Sequence, residues 1–286
     1  MSDSRQDETR PASARWLPGG TFADQVAVVT GGGTGLGLEI ARGLAALGAT
    51  TVVASRSPEH HVALLEEAVE RGWRVEAEQL DVREPDAVRR CADSVAERHG
   101  RVDVLVNNAA GNFVCPAERL SAKGWRAVLG IVLDGTFYCS KEFGRRMIER
   151  RSGRILNVVA TYAWTGMAGV VHSASAKAGV LAMTRTLAKE WARYDLRVNA
   201  IAPGIFESEG AGQRLWPDDA TRAKVQDAVP LKRFASPDEI AAHCLYLLSP
   251  ACDYVNGECF TVDGGAWLGA TMWDPGTNIR RRKPEA

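Results

Sequence analysis

The sequence predicts a single-domain α/β fold: a doubly wound parallel sheet of about seven strands with helices on both faces. Three observations predict it. Short runs rich in Val and Ile alternate with longer amphipathic runs along nearly the whole chain. A glycine-rich stretch, 31–37, joins the first short run to the first amphipathic one. The 286 residues, 45% of them hydrophobic, are enough for one sizeable core.

Residues 26–30, 51–55, 75–80, 102–107, 155–159, 198–201 and 259–262 read as strands. Their length and composition suit strands buried on both faces of a parallel sheet. Residues 36–47, 59–71, 86–99, 125–150, 174–194 and 237–248 read as helices, with apolar side chains three and four apart. Pro85 and Pro237 stand where the first turn of a helix tolerates proline. Residues 205–230 break the rhythm: they follow a strand, contain Gly210 and Gly212, and carry no clear period. An irregular insert at a strand end suits a lid over a ligand. The α/β domain spans 21–270, between a polar, Pro- and Gly-containing arm (1–20) and a tail (271–286) that holds Arg280, Arg281, Arg282 and Lys283.

Lys plus Arg and Asp plus Glu both number 35, so no overall field favours nucleic acid or an anionic membrane. An acidic ligand has to be met by a local patch. The six cysteines form no C-x-x-C pair and read as buried reduced thiols. No run reaches the ~18 apolar residues of a membrane span. Asp3, Asp7 and Glu8 stand where a secretory or mitochondrial leader avoids acid, and Pro284, Glu285 and Ala286 form no peroxisomal address. A cytoplasmic protein is expected.

Thr30-Gly31-Gly32-Gly33-Thr34-Gly35-Leu36-Gly37 connects a strand to a helix. Glycines there let the backbone approach a pyrophosphate, and the helix N-terminus offers free N–H groups and a positive dipole end. This predicts a dinucleotide site in a Rossmann-type fold. At the end of the second strand, Ser55 and Arg56 take the place of the acidic residue that would bind a free ribose 2′-hydroxyl. A guanidinium there can form charge-assisted hydrogen bonds to a 2′-phosphate, so NADP(H) is expected over NAD(H). The alternative is an Arg56 that touches only solvent.

The T-G-x-x-x-G-x-G spacing resembles the short-chain dehydrogenase/reductase superfamily. So do Asp81-Val82, Asn107-Asn108-Ala109-Ala110-Gly111 and Ala202-Pro203-Gly204, and the likeness spans roughly residues 22–268. It implies cofactor contacts from Gly31, Gly33, Thr34, Gly35, Leu36, Gly37, Ser55, Arg56, Asp81, Val82, Asn108, Ala109, Ala110, Lys177, Pro203, Gly204 and Ile205. It also implies a homotetramer built on the helices at 125–150 and 174–194.

The catalytic set departs from the superfamily's common Tyr-x-x-x-Lys. Lys177 fits the lysine, but Ser173 stands four residues before it, Ala160 replaces the usual serine, and Asp134 replaces the usual asparagine. Tyr162 instead stands at the carboxyl end of the fifth strand, where ligands bind in such sheets. Tyr162, Ser173, Lys177, Gly111-Asn112-Phe113, the run Pro116-Ala117-Glu118-Arg119-Leu120 and Asp263-Gly264-Gly265 together resemble the 2,4-dienoyl-CoA reductase branch. That resemblance implies NADPH-dependent reduction of an acyl-CoA thioester, with Tyr162 and Asn112 donating hydrogen bonds to the thioester oxygen. Lys177 is expected to bind the nicotinamide ribose, and Ser173 to orient Lys177 or the cofactor.

Phe113, Trp164, Met167, Ile205, Phe206, Leu215 and Trp216 are candidates for an acyl slot, and Arg119, Lys123, Arg214 and Arg222 for the phosphates of coenzyme A. His172 borders the site, where a packing role competes with an acid–base one. Three other readings stay open at this point. They are a trans-2-enoyl-CoA reductase, a carbonyl or sugar reductase of the same fold, and an NADPH-binding sensor or scaffold without turnover.

Overall fold

The structure is a computed structural model and describes residues 10–207 and 218–269. Among these, seven strands form one parallel sheet: β1 (Val26–Thr30), β2 (Thr50–Ser55), β3 (Val75–Gln79), β4 (Val104–Asn107), β5 (Gly153–Val158), β6 (Leu196–Pro203) and β7 (Cys259–Val262). Their spatial order is β3-β2-β1-β4-β5-β6-β7. The order reverses between β1 and β4, which opens a crevice at the carboxyl ends of the strands.

The helices are α1 (Gly35–Ala46), α2 (Val62–Arg71), α3 (Pro85–His99), α4 (Ala122–Leu129), α5 (Gly135–Arg150), α6 (Tyr162–Thr165), α7 (Val171–Trp191), α8 (Asp219–Ala228) and α9 (Pro237–Leu248). They cover both faces, because successive strand residues point to opposite sides. Ala27 and Val29 of β1 share a core with Leu36, Ile40 and Leu44 of α1 and with Ile240 and Leu245 of α9. Val26 and Val28 share the opposite core with Val88 and Val95 of α3 and Phe143 and Met147 of α5. Ser236 and Glu239 close a capping box at the start of α9, with Pro237 in its first turn.

The structure corrects several expectations. β3 and β7 are not buried on both faces: they are the two edges of the sheet, and their residues are mostly half-buried. The helix expected over 125–150 is divided by a π turn, Gly130–Asp134, between α4 and α5. Beside that turn, Gly135 passes so close to Val82 that a Cβ would come within 2.6 Å of its Cγ2. The helix expected from 59 begins as a 3-10 turn, Pro58–His61. α7 starts at Val171, one turn early, and so takes in His172 and Ser173. Part of the expected arm is packed, since Ala14 is buried in the core of α1 and α9. Within 205–230 the sequence shows no period, yet 219–228 is helical, capped by the Asp218 side chain on the Thr221 N–H.

A buried polar clasp joins four elements. Asn107 at the end of β4 donates to Asn157 of β5 (2.8 Å) and to Ser140 of α5 (2.9 Å). Asn157 donates in turn to Thr184 of α7 at 2.9 Å, and Thr184 donates to the Val180 carbonyl. Asn157→Ala removes two bonds and leaves the Asn107 amide short of an acceptor. The expected loss is about 2–3 kcal/mol of stability, read by urea unfolding; a change under about 0.5 kcal/mol, the scale of ordinary surface substitutions, contradicts the clasp's structural role.

Candidate active site

The glycine turn forms a tight cradle against the loop that follows β4. Gly31 has φ +64°, and a Cβ on it would meet the Ala109 Cα at 3.1 Å. A Cβ on Gly37 would meet the Gly31 carbonyl oxygen at 2.2 Å and the Asn108 Nδ2 at 2.4 Å. The Asn108 amide spends both its hydrogens on the loop, donating to the carbonyls of Thr30 and Gly31 at 3.1 Å each. The N–H groups of Asn108 and Ala109 both reach Thr30 Oγ1. Asn108 and Ala109 therefore shape the cradle, and only Ala110 of that trio carries no such bond. Thr34 makes no side-chain cap, so the first N–H groups of α1, at Gly35, Leu36 and Gly37, have no helical acceptor. The glycines let the turn pack this closely on itself and on its neighbours, and the orphan N–H groups at the start of α1 fit a pyrophosphate.

At the adenosine end, Ser55 and Arg56 follow β2, and Asp81 and Val82 follow β3. Arg83 binds Asp81 with two nitrogens and holds its carboxyl below the usual range. Arg56 is exposed, and its carbonyl accepts from Gln79. Pro203, Gly204 and Ile205 leave β6 at the opposite side of the crevice. There Gly204 is pressed on Asp263, whose Cα would lie 2.5 Å from an added Cβ.

Three catalytic candidates meet at the end of β5. Tyr162 opens α6, and its hydroxyl lies 3.0 Å from Ser173 Oγ. Ser173 and Lys177 are one turn apart on α7 and both are buried. Lys177 Nζ donates to the Val158 carbonyl at 2.5 Å, which leaves two of its three hydrogens for a ligand. Burial pulls this amine down to about 8 from 10.5. Burial also raises the Tyr162 phenol, against a smaller lowering by Ser173, so the group is a proton-bearing donor at neutral pH. Asn112 lies in the loop after β4. Its Oδ1 accepts from the Phe113 N–H at 2.9 Å, which turns its amide nitrogen into the free end.

Phe113 packs edge-on against His172, with 4.4 Å between ring centroids. His172 is fully buried and neither ring nitrogen has a partner among the described residues. Phe206 bridges to Ala235 beside the crevice. Arg119 is exposed on a 3-10 turn, and Arg222 is paired with Glu207 at 3.0 Å. Arg214, Leu215 and Trp216 lie outside the described residues. Asp134 ends the π turn and is exposed.

Two contributors were not anticipated. Trp267 packs edge-on against Trp164 (5.9 Å), and the Asp263 carboxylate pins its turn by accepting from Gly265 and Trp267. The sequence signal for it was an aromatic two residues after the glycine pair at the last strand end. His61 lies 2.7 Å from Ser55 Oγ, and no pattern in the sequence marks it.

No group of His, Cys, Asp or Glu able to hold a metal occurs among the described residues, and no helix among them is long and apolar enough to cross a membrane. All six cysteines are free; four are buried and Cys115 and Cys259 are half-buried.

A family model described as enoyl-(acyl carrier protein) reductase matches residues 31–266. A Bacillus subtilis protein described as a probable 2,4-dienoyl-CoA reductase producing (2E)-enoyl-CoA is 46% identical, over 84% of this chain and 96% of that one. The peroxisomal 2,4-dienoyl-CoA reductase of Pongo abelii, which produces (3E)-enoyl-CoA, is 40% identical over 93% of this chain and 91% of that one. Among solved structures, a short-chain dehydrogenase from Bacillus anthracis is 45% identical with TM-score 0.77, covering 87% of this chain and 98% of that one. A gluconate 5-dehydrogenase from Burkholderia cenocepacia in complex with NADP and tartrate is 32% identical with TM-score 0.83, covering 91% of this chain and 100% of that one.

The buried lysine gives a pH signature. Its folded pKa of about 8 lies below the unfolded 10.5, so between these values the unfolded chain binds more protons and stability rises with pH. Below pH 8 the fold carries the full cost of the buried cation, about 3 kcal/mol at 1.36 per unit. In the cofactor-free protein, the stability of Lys177→Met relative to wild type is expected to fall by about that much from pH 7 to 10.5. Urea unfolding at stepped pH measures it, and a flat difference contradicts it.

Proposed function

The chain belongs to the short-chain dehydrogenase/reductase family, and from that membership and the geometry at the end of β5 we propose that it reduces 2,4-dienoyl-CoA thioesters with NADPH. The observation that carries this reading is the contact of Tyr162 with Ser173 beside Lys177. It puts a phenol in the site although the usual tyrosine position holds a serine.

The glycine turn and the α1 N-terminus hold the cofactor's pyrophosphate, Ser55 and Arg56 its 2′-phosphate, and Lys177 its nicotinamide ribose. Bound NADPH supplies a hydride, which adds to Cδ of the conjugated thioester. Negative charge then develops on the distant thioester oxygen as a dienolate. Tyr162 and Asn112 donate to that oxygen, as in an oxyanion hole. For Tyr162 to spend its hydrogen there, Ser173 donates to the phenol oxygen, which the 3.0 Å contact allows. The Lys177 cation lies one turn from Ser173 and adds a favourable field.

The products of the two relatives both follow from one dienolate: protonation at Cα gives a 3-enoyl-CoA, at Cγ a 2-enoyl-CoA. We place the proton at Cα, because the donors are gathered at the thioester end, next to Cα and far from Cγ. Reduction of a 2-enoyl-CoA needs the same donors with hydride at Cβ and is the nearest rival. Ketone or sugar reduction needs a proton relay to the carbonyl oxygen from the position that Ser173 occupies. The retained Lys177 and the Tyr162 contact disfavour a sensor without turnover.

Phe113, Trp164 and Phe206 line the acyl side in this reading, with Arg119 toward the coenzyme A phosphates. The assembly is a homotetramer through α5 and α7; Phe137, 46% exposed on α5, supports an apolar contact there. The cytoplasmic location rests on the sequence alone.

The test mixes the protein with NADPH and a 2,4-dienoyl-CoA, with a 2-enoyl-CoA, a ketone and NADH beside it. Turnover is expected on the dienoyl thioester. Tyr162→Phe is expected to lower kcat by about 10²–10³, the usual cost of one oxyanion donor, with KM little changed. Full activity in Tyr162→Phe, or turnover confined to the ketone, overturns the assignment.

A further inference from the structure

We propose that His61 is a positioning residue for the cofactor's 2′-phosphate: it donates a hydrogen bond into the Ser55 hydroxyl and so frees that hydroxyl's own hydrogen for the phosphate. The inference rests on the NADP(H) reading of the site. The 3-10 turn Pro58–His61 follows β2 directly and folds back over its end. It is docked hard against the glycine cradle, since a Cβ on Gly33 would come within 2.5 Å of the His60 carbonyl oxygen and 2.8 Å of its Cβ. That contact fixes the next residue, and the His61 ring is only 3% exposed.

The hydrogen-bond count then leaves little freedom. Ser55 Oγ lies 2.7 Å from His61 Nε2 and 3.1 Å from the Ser57 carbonyl. A hydroxyl has one hydrogen to give. With the Ser57 carbonyl an acceptor only, both contacts are satisfied when His61 carries its hydrogen on Nε2 and donates it to Ser55, while Ser55 donates to Ser57. A phosphate oxygen at the end of β2 competes with the Ser57 carbonyl for that hydrogen. The hydroxyl turns to the anion, and the His61 N–H stays on its oxygen and strengthens it as a donor. Without His61 the hydroxyl loses this polarisation and one of the two bonds that aim it. Burial lowers the His61 pKa, so the ring is neutral at neutral pH and acts by its tautomer. Arg56 supplies the charge at the same corner from an exposed position.

The prediction is selective. Loss of His61 should weaken ligands that carry a 2′-phosphate and leave those without it alone, whereas a merely structural role would weaken both. Binding of NADPH, NADH, adenosine 2′,5′-bisphosphate and 5′-AMP is measured by calorimetry and cofactor fluorescence at pH 7.5. The proteins are wild type, His61→Phe, which keeps the packing, and His61→Gln, which keeps a donor. His61→Phe is expected to weaken NADPH and the bisphosphate about tenfold, the scale of a hydrogen bond to a charged group. NADH and AMP are expected to stay within about twofold, and His61→Gln to recover most of the loss. Equal weakening of all four ligands, or of none, overturns the inference. A wild type that does not prefer NADPH to NADH overturns the NADP(H) reading itself, and the inference with it. If His61→Phe does not fold, nitrogen-15 spectra of the wild-type imidazole with adenosine 2′,5′-bisphosphate decide: an Nε2–H tautomer supports the relay, and an Nδ1–H tautomer contradicts it.

Discussion

The arrangement depends most on the buried amide clasp of Asn107, Asn157 and Thr184. Each member stands at the root of an element that carries part of the site. Asn107 ends β4, and Asn108, Ala110 and Asn112 follow it. Asn157 stands one residue before the Val158 carbonyl that holds Lys177, and five before Tyr162. Thr184 lies seven residues, two helical turns, beyond Lys177 on the same face of α7. Ser140, the fourth partner, ties in α5. Because every bond in the clasp is buried, a shift of one element breaks a hydrogen bond that water cannot replace. Strands and helices are therefore held in one register, and the loops that leave them converge on the crevice between β1 and β4.

That register brings a phenol to the end of β5 although a serine holds the usual tyrosine position. The phenol approaches from the strand end, and Ser173 receives it from the helix. The proposed chemistry suits such a donor. Reduction of a ketone develops charge on an atom that must take a proton at once, whereas hydride addition to a dienoyl thioester spreads charge to an oxygen several bonds away. A neutral, raised-pKa phenol and an aimed amide stabilise that oxygen without having to ionise. Asn112 acquires its aim locally, from the Phe113 N–H that occupies its oxygen. Phe113 is held in turn by the buried ring of His172, so the loop after β4 is braced on the helix that carries Ser173 and Lys177.

The sheet and its helices were legible because two periods, short apolar runs and spacings of three and four, report burial directly. β1, β7 and α9 agree with their expected limits. The expectation failed where burial is not the deciding factor. β3 and β7 are edges; Glu76, Glu78 and Gln79 mark this in β3, and the reading of a strand buried on both faces passed over them. The π turn at 130–134 keeps the apolar pattern of a helix while adding a residue to one turn. α7 begins at Val171 because packing of His172 overrides its weak helical propensity. In the site, Tyr162, Ser173 and Lys177 were legible as a displaced motif. His61 and Trp267 were not, because their roles come from contacts between segments: a turn folded over a strand end, and an aromatic pair from chain regions about a hundred residues apart.

The destination of the hydride decides the proposed reaction. The most direct test gives the enzyme NADPH deuterated at the transferable position, together with a 2,4-dienoyl-CoA, and reads the product by mass spectrometry and NMR. Deuterium at Cδ, with the second new hydrogen drawn from solvent, is the predicted result and requires charge to have reached the thioester oxygen. Deuterium at Cβ, or on a carbonyl carbon of an added ketone with none in the thioester, contradicts it.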